Sequence, residues 1–176
     1  AGADLAAGDA VIICSPDHAA IAQLSAYAAG TLTYAADSGS PGNCSTRLDF
    51  PTACGTAGGE PFKQNSLVTR LKAVDWYVGT NPDGGTSLYR VALVNQAGAL
   101  QTQAQEMVRD ITALRFRYHE VGTDTYVAAS SVANWGQVDA VRVELEMESG
   151  EQRAGTDGQP LQRSFQAVTT LRNRVN

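Results

Sequence analysis

Two histidines, His18 and His119, are the side chains of this sequence best suited to general acid–base chemistry, because imidazole titrates near neutral pH. A Ser-His-Asp set could be assembled from His119, Asp139 and one of the serines, but no Gly-x-Ser-x-Gly motif presents a nucleophile. His119 also lies on the polar side of the alternating stretch LRFRYHEV, which favours a surface position. The sequence therefore predicts no catalytic residues, and we do not expect an enzyme.

Glycine-rich and acidic stretches are the candidates for cofactor and metal sites in this sequence. GTAGGE at 55–60 matches neither the dinucleotide-binding fingerprint nor the phosphate-binding loop, so no cofactor is expected. Asp83, Asp124 and Asp157 each lie in a glycine-containing turn and could each offer one carboxylate to calcium. A single carboxylate per turn favours an aspartate that bonds its own backbone, so no metal site is predicted.

Three cysteines allow at most one internal disulfide. Cys14 ends the apolar run AVIIC, which favours a buried free thiol, whereas Cys44 and Cys54 share a stretch rich in Gly, Pro and Thr. The predicted disulfide is Cys44–Cys54, and a Cys14–Cys44 bridge is the alternative. No Cys-x-x-Cys pair and no neighbouring histidine supply a tetrahedral metal set.

Composition bounds the class of protein. The chain has 176 residues, 43% of them hydrophobic and 18% charged, which is typical of one globular domain over 1–176. A net charge of -5 repels phosphate, so nucleic acid is not an expected partner. No run reaches the roughly 18 apolar residues that a membrane-spanning helix requires.

The dominant hydrophobic period is two, which predicts antiparallel strands with one buried face. In DAVRVELEME the apolar residues alternate with charged ones, and LRFRYHEV and SFQAVTTL alternate in the same way. Asp83-Gly84 predicts a hairpin turn between two further strands. Residues 37–66 are predicted to form a long irregular loop. Asp17 is predicted to cap a short helical turn, and residues 102–111 are predicted to form an amphipathic helix. The predicted fold class is mainly β (α+β), with antiparallel sheets and one or two short helices.

The aromatic residues suggest a second class of function. Trp76 alternates with two valines and is expected in the core, whereas Trp135 precedes a strand and could plug the end of a sheet or offer a ligand platform. A secreted carbohydrate- or ligand-binding β-domain that uses Trp135, Tyr126 or Tyr27 as stacking platforms is the alternative function.

The order of several stretches resembles the C-terminal part of PilW-type minor pilins of bacterial type IV pili. NWGQVDAVRVELEMES is similar to the W-x-x-V-x-A-V-R-V strand of that family, and FQAVTTLRNRVN is similar to its final strand. Upstream, GDAVIICSPDHAAIAQL, NSLVTRLKAVDWYVGT with TSLYRVAL, and AQEMVRDITALRFRYHEVG are similar to further segments in the same order. The family's N-terminal leader and long hydrophobic helix are absent from this chain, so we expect it to be the C-terminal globular part.

The resemblance implies a role in assembly rather than catalysis. Minor pilins of this type, which resemble the J-type pseudopilins of type II secretion, stand at the pilus tip, prime assembly and support a large adhesin-like tip protein, for adhesion and twitching motility. Other minor pilins and that tip protein are the implied partners. The implied location is the inner membrane facing the periplasm, through the N-terminal helix, and then the extracellular pilus tip.

The last residues offer a candidate interface in this reading. Arg172 and Arg174 close the final strand, and together with Trp135 they could dock a neighbouring subunit. The alternative is that the two arginines pair with Glu144 or Glu146.

Overall fold

The computed structural model describes residues 4–36, 42–45, 48, 62, 65–151, 156–172 and 174. These residues form twelve strands and two short 3-10 helices, so the predicted mainly β class with antiparallel sheets is confirmed. Among them, no helix has the length and apolar content to cross a membrane. Two compact units divide the chain, one of residues 1–75 and 91–103, the other of residues 76–90 and 104–176. The expectation of a single domain over 1–176 stays a prediction.

The first unit is built on β1 (Ala10–Cys14), a strand with antiparallel neighbours on both sides. β2 (Ala19–Gln23) pairs with one edge of β1 and β5 (Leu67–Arg70) with the other. A small hairpin follows β2, formed by β3 (Ala26–Ala28) and β4 (Thr31–Thr33). The run AVIIC is nearly all apolar because β1 is the central strand.

The described part of segment 37–66 is anchored to this unit. Leu48 is buried in one core cluster with Val11 and Leu24, and Phe62 packs against that cluster. The Asn43 side chain accepts a hydrogen bond from the Gln23 amide at 2.7 Å and donates one to the Gln23 carbonyl at 2.8 Å. Leu48 therefore belongs to the core of the first unit, and Phe62 covers it. The rest of the predicted loop lies outside the described residues.

Three long strands form a second sheet in the order β6-β7-β8: β6 (Val74–Thr80), β7 (Thr86–Gln96) and β8 (Ala99–Arg109). The turn between β6 and β7 contains the predicted Asp83-Gly84 pair, and Gly84 has a φ of 84°, which glycine adopts without steric cost. The Asn81 side chain holds this turn by accepting from the amides of Asp83 and Gly85 at 3.1 and 3.0 Å.

Two predicted helices are wrong. Residues 102–109 belong to β8, and the chain turns at Asp110, which has a φ of 63°. The helix formers there (Ala, Gln, Glu and Met) are overridden by pairing with the adjacent β7, since tertiary context outweighs helix propensity. The stretch after Asp17 forms β2, because its backbone completes one edge of β1. The core position expected for Trp76 is also wrong, since the residue is 42% exposed.

The second unit contains a four-stranded sheet in the order β10-β9-β11-β12. Its strands are β9 (Ile111–Glu120), β10 (Tyr126–Val127), β11 (Val138–Glu148) and β12 (Gln162–Thr170). The 3-10 helices η1 (Ala129–Ser131) and η2 (Trp135–Gln137) connect β10 to β11. The period-two stretches in the sequence are thus β9, β11 and β12, as predicted.

The register of this sheet gives it an apolar face and a polar face. Tyr118, Val141 and Thr169 stand opposite one another, and Leu145 stands between Leu114 and Phe165. We define the apolar face by the side chains that share this side, namely Leu114, Phe116, Tyr118, Val141, Val143, Leu145, Phe165 and Ala167. Phe116 and Phe165 of this face are 40% and 52% exposed.

The cysteine predictions have different outcomes. Cys14 is a free, half-buried thiol at the end of β1, where it stands opposite Ala19 of β2, so the alternative Cys14–Cys44 bridge is wrong. The Cys44–Cys54 bridge stays a prediction, because Cys54 lies outside the described residues.

Candidate interaction surface

A cleft of about 660 Å³ lies at one end of the apolar face and contains all three residues of the sequence-predicted interface. Tyr118, Val138, Val141 and Leu171 supply its apolar lining, and Trp135 stands over Tyr118 with the ring centroids 4.8 Å apart in an edge-to-face arrangement. Arg172 and Arg174 complete the lining. We call this site the arginine cleft. Residues far apart in the sequence meet there because β11 pairs with both β9 and β12.

Trp135 is positioned in the cleft by side chains that accept hydrogen bonds from the backbone amides before and after it. The Glu120 carboxylate accepts from the amides of Ala133 and Asn134 at 3.1 and 2.7 Å, which ties the connection before η2 to the end of β9. Asn134 caps η2, since its side chain accepts from the Gly136 amide at 2.9 Å. No signal in the sequence indicates that Glu120 holds this connection. The Asn134-Trp135-Gly136 stretch does carry a recognisable signal for a helix cap at Asn134.

The other wall of the cleft depends on an irregularity in β11. The register with β9 shifts between Val138 and Ala140, so Asp139 lies in a β-bulge. The carbonyl of Asp139 accepts from the Leu171 amide at 2.7 Å, and Arg174 then turns back to donate to the Trp135 carbonyl through its guanidinium. The chain after β12 is thereby fixed against η2.

The side chain of Asp139 points to His119, the residue considered for catalysis. Its carboxylate lies 2.6 Å from Nδ1 of His119, and Nε2 of the same ring lies 2.7 Å from the Thr123 carbonyl, which can only accept. The hydrogen bond from Asp139 and then the one from Thr123 raise the pKa of His119, although burial opposes them. Both ring nitrogens therefore have partners, and the histidine bridges two parts of the chain with no serine as a hydrogen-bond partner.

Arg–Glu pairs cover the polar face of the sheet. Arg115 pairs with Glu146, and Glu144 lies 3.8 Å from Arg117 and 2.9 Å from Arg142. Glu144 and Glu146 thus have arginine partners on β9 and β11. Within the described part of the chain, neither Arg172 nor Arg174 pairs with these glutamates, so the alternative given for the two arginines is not found.

Two of the three aromatics suggested as stacking platforms, Tyr126 and Trp135, lie on opposite faces of the same sheet. Tyr126 lies on the polar face, where the Arg142 guanidinium stands 4.7 Å from its ring centroid, whereas Trp135 lies at the apolar face. Tyr27 belongs to β3 of the first unit.

The turn aspartates have separate roles. Asp83 pairs with Arg109, and the Asp157 carboxylate accepts from the Gln159 amide at 3.1 Å, which is the own-backbone bond expected of a turn. Asp124 lies in an exposed bend. Over the ranges that the structure describes, no three His, Cys, Asp or Glu residues are grouped in a way that could hold a metal ion.

Comparison with known families identifies the family of the chain. The model of the family described as Type IV Pilus-assembly protein W (PilW) matches residues 75–174, more than half of the chain. The chain belongs to the PilW family. The suspected resemblance is confirmed, and the protein is involved in type IV pilus assembly, which is a structural role.

The matched range includes every residue of the arginine cleft, so the cleft lies in the PilW part of the chain. No curated protein and no solved structure matches the chain significantly.

Proposed function

We propose that this PilW-family chain is the globular part of a minor pilin that acts in the tip complex of a type IV pilus. In this role it primes pilus assembly together with other minor pilins and supports a large adhesin-like tip protein, and so contributes to adhesion and twitching motility. The native protein is anchored in the inner membrane by an N-terminal hydrophobic helix and moves to the extracellular tip on assembly.

The observation that carries the proposal is the apolar face together with the family match over residues 75–174. An exposed patch of large apolar side chains costs free energy in water and is typical of a surface that packs against another protein. Phe116 and Phe165 are such side chains, and they stand on one face of the sheet. A subunit of a multi-protein fibre requires such a surface.

The first test is mass spectrometry on the N-terminus of the native, full-length protein. An N-methylated residue followed by about twenty apolar residues, the length of a membrane-spanning helix, is the expected result. A conventional secretory N-terminus would overturn the pilin proposal and would move the carbohydrate-binding alternative to first place.

The second test concerns the tip. Deletion of the gene should reduce the sheared surface pili, and the full-length gene should restore them. Antibodies against the chain should label pili at one end. Uniform labelling along the fibre would contradict a tip role but keep the assembly role, whereas normal piliation in the deletion strain would contradict both.

A further inference from the structure

The arginine cleft carries positive charge that no described carboxylate neutralises. Arg174 donates to a backbone carbonyl, which is neutral, and Arg172 is exposed and makes no ion pair with a described residue. Arg115, Arg117 and Arg142 of the same sheet all stand within 4 Å of a glutamate. In a chain with a net charge of -5, two neighbouring arginines without a carboxylate partner leave a local excess of positive charge.

The lining beside these arginines is apolar and concave. A volume of about 660 Å³ is in the range of clefts that bind drug-sized ligands. Trp135 is 51% exposed, although its ring packs against Tyr118 in an edge-to-face arrangement, so part of its surface is accessible to a ligand. The cleft therefore combines a position for an apolar side chain with a position for a carboxylate, which arginine binds through paired hydrogen bonds.

The strand next to the cleft has an open edge. Among the described strands, β12 pairs with β11 alone, and all nine of its residues are exposed. Its sequence QRSFQAVTT contains one charge and no proline, so it lacks the devices that usually protect an edge strand from pairing. Because Leu171 and Arg172 follow β12 directly, a strand added along this edge in parallel with β12 would end beside the arginine cleft.

From these three features we propose that the surface formed by β12 and the arginine cleft binds an extended segment of a partner protein. The segment pairs with β12 through its backbone, places an aromatic or large aliphatic side chain between Trp135 and Leu171, and places an adjacent carboxylate on Arg172. Backbone pairing supplies affinity and the cleft supplies specificity, as in other cases of strand addition. This interaction does not depend on the pilus role, since the cleft is tested on the chain itself.

The test uses synthetic peptides and the isotope-labelled 176-residue chain. N-acetyl-Phe-Asp-amide and its neutral counterpart N-acetyl-Phe-Asn-amide probe the cleft alone. In NMR titrations the acidic peptide should shift the Trp135 indole and the amides of Leu171 and Arg172, and should bind about five- to tenfold more tightly than the neutral one, as expected for a charge-assisted contact at a partly exposed arginine. A longer peptide of alternating Thr and Val that ends in Phe-Asp should also shift amides along β12.

Arg172→Gln should abolish the preference for the acidic peptide, and the matched control Arg115→Gln should keep it, because Arg115 belongs to the polar face. Unfolding curves for both variants check that the fold is retained. Equal binding of the two peptides, or an unchanged preference in Arg172→Gln, would overturn the cleft assignment. Shifts produced equally by sodium sulfate would show a general anion site and would also overturn it. An absence of β12 shifts with the longer peptide would refute the strand addition.

Discussion

Asp9 connects three parts of the first unit, and its removal is the most informative test of how that unit is held together. Asp9 is 4% exposed, and its carboxylate accepts hydrogen bonds from the Ala6 amide at 3.0 Å, from Arg70 Nε at 3.0 Å and from Asn95 Nδ2 at 2.8 Å. These donors lie before β1, at the end of β5 and on β7. One side chain thus links segments that are up to 86 positions apart in the sequence.

Asp9→Asn keeps the shape of the side chain but replaces one accepting oxygen by a donating amide. The bond from Asn95 can persist, whereas the bonds from Ala6 and Arg70 face another donor and are lost. A hydrogen bond to a charged group contributes about 1.5–3 kcal/mol, and the lower figure applies because the Arg70 side chain is 45% exposed. The expected loss is about 3 kcal/mol in the free energy of unfolding, or a Tm lower by about 10 °C.

Urea unfolding followed by circular dichroism measures this loss, and Asp75→Asn is the control because Asp75 is an exposed aspartate on β6. The control should change the stability by less than about 0.5 kcal/mol. A loss in Asp9→Asn no larger than that of the control would refute the reasoning.

The pH dependence of Asp9 gives a second check. Burial alone would raise the pKa of this carboxyl, but the hydrogen bonds from Asn95 and Ala6 and the charge of Arg70 lower it below its ordinary value of 3.8. Its stabilisation is therefore complete above that value and is lost as the pH falls through the lower, folded-state pKa. The gap between wild type and Asp9→Asn should be constant from pH 7 to pH 5 and shrink below about pH 4; a gap that stays constant down to pH 2 would contradict this assignment.

Three further predictions concern single side chains. Glu120→Ala removes the acceptor for two loop amides, so hydrogen exchange at those amides should accelerate about tenfold and the fluorescence emission of Trp135 should shift. Unchanged exchange would contradict the role of Glu120. His119→Gln should lower the free energy of unfolding most below about pH 6.5. The difference from wild type should decrease as the pH rises through the raised pKa of His119. A difference in urea unfolding that is equal at about pH 5 and about pH 9 would argue against the hydrogen bonds of His119 to Asp139 and Thr123. Gly8→Ala should cost about 2 kcal/mol or more in thermal unfolding, because Gly8 has a φ of 88° and an added Cβ would meet the Gly98 backbone at 2.5 Å; a Tm within 2 °C of wild type would contradict this clash.

The sheet of the second unit could be predicted from the sequence because burial of one face imposes a period of two. β9, β11 and β12 all show it, and β11 shows it most clearly, with Val141 and Val143 on one side and Glu144 on the other. The hairpin at Asp83 was readable for a different reason, since a Gly at positive φ is a local requirement of the turn. Signals that arise from adjacent residues are available without knowledge of the fold.

The predicted helix at 102–111 was wrong, although it also rested on the spacing of neighbouring residues. That spacing does not show that the segment pairs with β7. Met107 and Val108 fit a helical stripe, yet in β8 they are 43% and 44% exposed. The spacing of the apolar residues therefore indicated neither a helix nor a buried face of a strand. Pairing with β7 decides the conformation, and the positive φ of Asp110 ends the strand.

The arginine cleft shows the limit of reading residues one by one. Trp135 and Arg172 were each identified from the sequence, but nothing in it places them together, because their contact depends on the register of β11 with two other strands. The bulge at Asp139 sets that register at the end of the sheet, and the Asp139 carbonyl fixes Leu171. The geometry of the cleft is thus set by the backbone, whereas part of its charge comes from Arg172, an exposed side chain that makes no ion pair with a described residue. Substitution of Arg172 should therefore change what the cleft binds and leave its shape intact, which is why this residue separates recognition from folding.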